Sequence, residues 1–160
     1  EVLPVYLRHA RLAAGQPTIA QLLIDLLVLR RSLIRDIVRL AAARMPAGGT
    51  VVARAALARA AAFRGDAVQF PREDFLVLRA VIEAAGLLPA VWLLNRVASV
   101  YLEIAATLAP HLRVPRDYLE AQLRVLDAID RGDAEVAATA IDAYLERHDR
   151  ALIQALEGRS

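Results

Sequence analysis

The sequence predicts an all-α fold, an antiparallel bundle of about six to seven helices. Its composition is dominated by Ala, Leu and Arg, side chains that lose little rotamer freedom on a helix, and only 5% of it is aromatic. All seven glycines and all seven prolines fall between apolar-periodic segments or in their first turns, where helices start and stop. Strict period-two alternation is absent, as is any fixed-length repeat. With 160 residues, 58% of them hydrophobic, the chain is the size of one domain with a continuous core.

The punctuation divides the chain into helices near 4–13, 18–45, 50–64, 72–86, 89–109, 116–131 and 133–157. The first closes before Gly15 and Pro17, and the long second runs to Pro46. The third ends at Gly65, after which 65–71 reads as a surface loop. The fourth follows Pro71 and stops at Gly86, and the fifth lies between Pro89 and Pro110. The sixth follows Pro115, and Gly132 separates it from the seventh, with Asp133 as the cap. Such short connections make sequential neighbours antiparallel.

Charge and composition exclude several classes of function. There is no cysteine, so disulfide frameworks and thiolate metal sites are ruled out. The formal net charge is only +2, and the 20 basic residues, all arginine, are dispersed, a poor footprint for direct nucleic-acid binding. Charge-free runs such as 84–95 fall short of the roughly 20 residues a bilayer span requires. Phosphate loops, nucleophile elbows and dinucleotide fingerprints are lacking, and no catalytic constellation is visible. The predicted protein is therefore not an enzyme and carries no cofactor.

Helical periodicity exposes polar residues on apolar faces. On the second helix, Ile19, Leu23, Leu26, Leu33, Ile37 and Leu40 form a seam with Arg30 in its middle, while Arg31, Arg35, Arg39, Asp25 and Asp36 gather opposite. On the fourth, Asp74 falls at the centre of the face made by Val77, Leu78, Val81 and Ile82. Gln122 lies among Tyr118, Val125, Leu126 and Ile129. In the last helix, Tyr144 and His148 sit within the stripe of Ala137, Ile141, Ala151, Leu152 and Ala155.

Buried charges need partners, so two readings follow. In one, these polar groups converge on a shared pocket, as bundles build ligand sites. In the other, Arg30 and Asp74 simply pair inside the core. Asp74 also has a local reading, since an acid in the first turn after Pro71 favours the helix dipole. Glu146 and Asp149 read as a solvated polar face, and His148 is the one histidine placed in the core. Trp92 fits either a core or a dimer contact.

Three blocks, "LLIDLLVLRRSLIRDIVRLAAARM", "DFLVLRAVIEAAGLLPAVWLLNRVASVY" and "LRVLDAIDRGDAEVAATAIDAYLERH", resemble the FadR C-terminal domain, the effector-binding domain of one branch of GntR-type bacterial transcription regulators. The resemblance runs from about residue 18 to 157 and rests on the order and spacing of the blocks together with the "AI..GD...A" hairpin. It implies a helical bundle whose central cavity binds a small effector, acting in the cytoplasm as a homodimer. It implies DNA binding only through an N-terminal winged helix, which nothing in these residues resembles. On this reading 1–17 is a helical lead-in or linker and 18–160 the effector-binding domain.

Many members of that family hold a divalent metal with an aspartate, a histidine four residues later and one histidine from each of the last two helices. Asp74 matches the first, but Leu78, Gln122 and Tyr144 stand at the histidine positions. Leucine and glutamine do not replace imidazole, so no metal is expected. The pattern is closer to the metal-free, fatty-acid-responsive branch, which binds acyl-CoA. Arg30 matches its arginine, and Asn95 and Tyr101 match an asparagine and a tyrosine in "LLNRVASVY". The branch's tryptophan and small residues in the last helix are replaced, the corresponding positions being Leu145, His148 and Leu152.

The resemblance thus implies a ligand sensor in which Arg30 anchors an acyl-CoA or organic acid, with Asp74, Asn95, Tyr101, Gln122, Tyr144 and His148 shaping the polar wall. The alternative is a structural or partner-binding bundle with an internally paired polar core.

Overall fold

The computed structural model describes residues 19–108 and 114–157; the side chains of some helical residues, Tyr101 among them, lie outside that description. The described residues form α-helices and no strand: α1 (Ile19–Arg44), α2 (Val51–Ala62), α3 (Gln69–Ala84), α4 (Leu88–Leu108), α5 (Tyr118–Asp130) and α6 (Ala134–Glu157). The all-α expectation therefore holds. The helix expected at 4–13 and the boundary at 17 fall outside the described residues. No described helix is long and apolar enough to cross a membrane.

The bundle is built from paired helices. α1 lies along α6, α2 packs on α3, α5 on α6 and α4 on α3, while further contacts of α1 with α5 and α3 close the interior. Small side chains set the close approach of α2: Ala53, Ala56 and Ala60 are buried at helical spacing around Leu57. At the centre, Tyr118, Ile82, Leu126 and Ile129 are almost wholly removed from solvent.

Tertiary packing keeps Arg30, Leu33 and Ile37 of the expected α1 seam toward the interior but turns other seam residues outward. Leu26 and Leu40 are 40% and 46% exposed, whereas Ile37, Val38, Ala41 and Ala42 are buried. The buried stripe is wider than a simple seam because α1 meets three helices rather than one partner. Arg31 is likewise not a solvent charge, since it pairs across to α6.

α3 begins at Gln69, earlier than expected, so 69–71 is helix rather than loop. The carboxylate of Asp66 accepts the backbone N–H groups of Val68 and Gln69, both at 2.9 Å, and these bonds hold its pKa below the usual range. Pro71 then sits in the first turn, where its missing N–H costs nothing. Asp74 lies beyond that turn, so its position is not explained by the helix dipole.

The sharp hairpin of α5 and α6 depends on Gly132, whose φ of 73° is in the left-handed region. Its N–H reaches the Ile129 carbonyl at 3.0 Å and that of Asp133 reaches Ala128 at 2.9 Å, which satisfies the last carbonyls of α5. The Asp133 carboxylate accepts from Arg131 Nε at 2.8 Å.

A second lock joins the start of α2 to the end of α5. Thr50, 1% exposed, has its hydroxyl 2.8 and 2.7 Å from the two Asp130 carboxylate oxygens, and it accepts from Arg54 Nε at 3.1 Å. Arg54 also reaches Asp127 and Asp130, each at 2.7 Å. Burial would raise Asp130, but the Thr50 and Arg54 hydrogen bonds bring its pKa below the usual carboxylate value. Thr50→Val is expected to cost about 1–2 kcal/mol by leaving the network short of its buried donor. Thermal denaturation checks this: the midpoint should fall by several degrees, whereas an unchanged midpoint would show the hydroxyl to be dispensable.

Candidate binding cavity

A cavity of about 130 Å³ lies between α1, α3, α4, α5 and α6. Among the described residues four polar side chains line it, Arg30 from α1, Asp74 from α3, Gln122 from α5 and Tyr144 from α6, and the other described lining residues are Leu, Ile, Val or Phe. These are four of the five polar residues that helical periodicity places on apolar faces, His148 being the fifth, and the bundle brings the four to one space.

The remaining expected site residues are placed differently. Asn95 is exposed on α4 and does not line the cavity. Tyr101 falls within α4, but its side chain lies outside the described residues. His148 is half-buried one turn beyond Tyr144, and the two rings stack with centroids 6.3 Å apart and planes 10° from parallel. It supports a lining residue and is not itself part of the lining. Trp92 is 69% exposed, so it is not a core residue.

Arg30 does not pair with Asp74. It donates through Nη2 to Asp149 of α6, which is 5% exposed and thus not part of a solvated face. The reason lies in the α1–α6 packing. Asp142, Glu146 and Asp149 recur at helical spacing along one edge of α6 and meet Arg30 and Arg31 of α1. Arg31 takes Asp142 at 2.7 and 3.0 Å and approaches Glu146 at 3.6 Å. That spacing of acids was a readable signal for the pairing. Burial pushes the Asp149 carboxyl up, opposed by the charges of Arg30 and Arg31. Arg30 Nε is buried and has no hydrogen-bond partner among the described residues.

Asp74 instead accepts a 2.6 Å hydrogen bond from the hydroxyl of Tyr118, a fully buried residue that sequence periodicity marked only as core. Burial pushes the Asp74 carboxyl above the usual carboxylate range, against the Tyr118 hydrogen bond and the charge of Arg30. Tyr118 is held by an aromatic row: Phe70 meets it edge-on at 5.0 Å, and Tyr144 lies 6.1 Å away. Burial lowers the His148 pKa to about 4, with the charge of Arg30 acting in the same direction, so the ring is neutral near pH 7.

Asp74, Leu78, Gln122 and Tyr144, the positions that the resemblance aligns with metal ligands, all line this cavity. One carboxylate, one amide and one phenol do not form a divalent-metal donor set. Among the described residues no group of three His, Cys, Asp or Glu is placed to hold a metal ion. The cavity can therefore bind by apolar contact and hydrogen bonding, and the residues do not fit a metal.

The family model described as the FCD domain matches residues 25–147. No curated protein and no solved structure matches the chain.

Proposed function

Because the chain belongs to the FCD domain family, the non-enzymatic effector-binding domain of GntR-family regulators, we propose that the cavity between α1, α3, α4, α5 and α6 is its effector site. The single observation that carries this reading is the convergence of Arg30, Asp74, Gln122 and Tyr144, from four helices, on one otherwise apolar space. Arg30, Asp74, Gln122 and Tyr144 contact the effector directly, and His148 acts by fixing the Tyr144 ring. The domain acts in the cytoplasm as a homodimer, with 1–17 as the lead-in from a winged helix and 18–160 as the sensing unit. Effector binding changes how α1 and α6 pack, and that change reaches the DNA-binding module.

The branch-level reading, with acyl-CoA as effector, draws on Arg30, Asn95 and Tyr101. Of these, Arg30 lines the cavity and Asn95 is exposed, while the Tyr101 side chain lies outside the described residues. A second reading, a structural bundle with a paired polar core, is favoured by the Arg30–Asp149 and Tyr118–Asp74 pairs.

A thermal-shift screen of acyl-CoAs, organic acids and uncharged small molecules separates the two. A sensor gains about 2.7 kcal/mol at a hundredfold excess of ligand over Kd. Arg30→Ala and the cavity-filling Val81→Phe are each expected to abolish the response while the far-UV helical signal persists. A domain that no compound stabilises is the structural bundle.

A further inference from the structure

The charge balance at the cavity narrows what it binds, on the premise that it is the effector site. Among the described residues, Arg30 and Asp74 are the only charged ones that line it. The Arg30 charge is already matched by Asp149 from the same interior, and neighbouring Arg31 is matched by Asp142 and Glu146. Asp74 is held by Tyr118, and its burial disfavours the charged form. An anion entering this space thus meets no uncommitted positive charge, and a cation meets a carboxyl that resists ionisation. Either would carry its own charge into surroundings rich in Leu, Ile, Val and Phe, at a desolvation cost that no unmatched counter-charge among the described residues offsets.

Size and hydrogen bonding point the same way. A cavity of about 150 Å³ lined by aliphatic and aromatic side chains accommodates benzene. The space here, about 130 Å³, is of that order. Arg30 Nε is a buried donor without an acceptor, and Asp74 offers carboxyl oxygens, so the polar end wants both an acceptor and a donor on the ligand. A hydroxyl or a carboxamide supplies both from one group.

We infer that the cavity takes a small uncharged molecule, a compact hydrocarbon body the size of one benzene ring bearing a single hydroxyl or carboxamide, with that group engaged by Arg30 and Asp74. Apolar contact supplies the affinity, and the polar pair sets the orientation.

Four probes of one shape test this by isothermal titration against the full chain near neutral pH: benzyl alcohol, benzamide, benzoate and benzylamine. The two uncharged probes should bind at least about tenfold more tightly than the two ions. Asp149→Asn frees the Arg30 charge and should lift benzoate above benzyl alcohol. If that variant does not fold, the ranking on the wild-type chain decides alone. Benzoate or benzylamine binding as tightly as the uncharged probes overturns the inference. So does a failure of all four where the broader screen finds an acyl-CoA or polyacid ligand, which leaves the effector reading intact. If both the probes and the screen find nothing, the effector reading itself falls.

Discussion

Arg30→Met is expected to destabilise the domain by about 3 kcal/mol, because it strands the buried Asp149 carboxylate without its counter-charge. The full range for breaking buried pairs is about 3–5 kcal/mol, and the lower end applies here because the Arg30 side chain keeps 21% of its exposure. The double variant Arg30→Met/Asp149→Leu should recover most of the loss, since it replaces both charges with apolar groups in an apolar setting. Urea denaturation of the wild type and the two variants checks this. If the double variant is as unstable as the single, the loss comes from packing of the arginine stem rather than from an orphaned charge. The comparison also bears on sensing, because Arg30 ties α1 to α6 while lining the cavity.

Acidification is expected to destabilise the wild type relative to His148→Gln by about 3 kcal/mol between about pH 7 and pH 4. The sign follows from the direction of the shift. Burial, reinforced by the Arg30 charge, lowers the folded-state pKa of His148 from 6.5 to about 4. The stabilising contribution is present above pH 6.5 and is lost as the pH falls toward 4, where the unfolded chain takes up a proton and the folded one does not. Asp74 and Asp149 act oppositely: burial raises both carboxyls, so their contribution is present at low pH and is lost as pH rises through their folded values. Subtracting the His148→Gln stability curve from that of the wild type isolates the histidine from these two acids. Parallel curves would mean that the His148 ring is solvated in the folded protein.

Much of the fold was legible because it is written in local chemistry. Gly132 and Gly86 end α5 and α3 through left-handed φ values of 73° and 66°, a conformation that costs other residues energy, and the sequence marked both breaks. Val77, Val81, Ile82, Val125, Leu126 and Ile129 are buried on the faces that helical spacing assigned them. Boundaries were less secure. α3 starts early because a side chain several residues upstream, Asp66, caps it, which periodicity does not register.

The candidate site divides along the same line. Arg30, Asp74, Gln122 and Tyr144 stood out as polar residues on apolar faces, a property of each helix alone, and all four line the cavity. Asn95 came from resemblance rather than from a helix face, and it is exposed. The pairings were readable only in part, since the spacing of Asp142, Glu146 and Asp149 marks the edge of α6 that meets α1 but not which acid meets Arg30. The alternative of a paired core sets Arg30 against Asp74, whereas the bundle gives Arg30 Asp149 and gives Asp74 the hydroxyl of Tyr118.

By itself, then, the sequence determined the helical class, the turns and which residues refuse the apolar interior, because rotamer entropy, backbone conformation and side-chain polarity act within a few residues of one another. Only the tertiary structure decided which charge answers which and how large a space they surround. Those outcomes depend on the rotation and approach of α1 against α6 and α3, and that geometry is set by packing summed over the whole core.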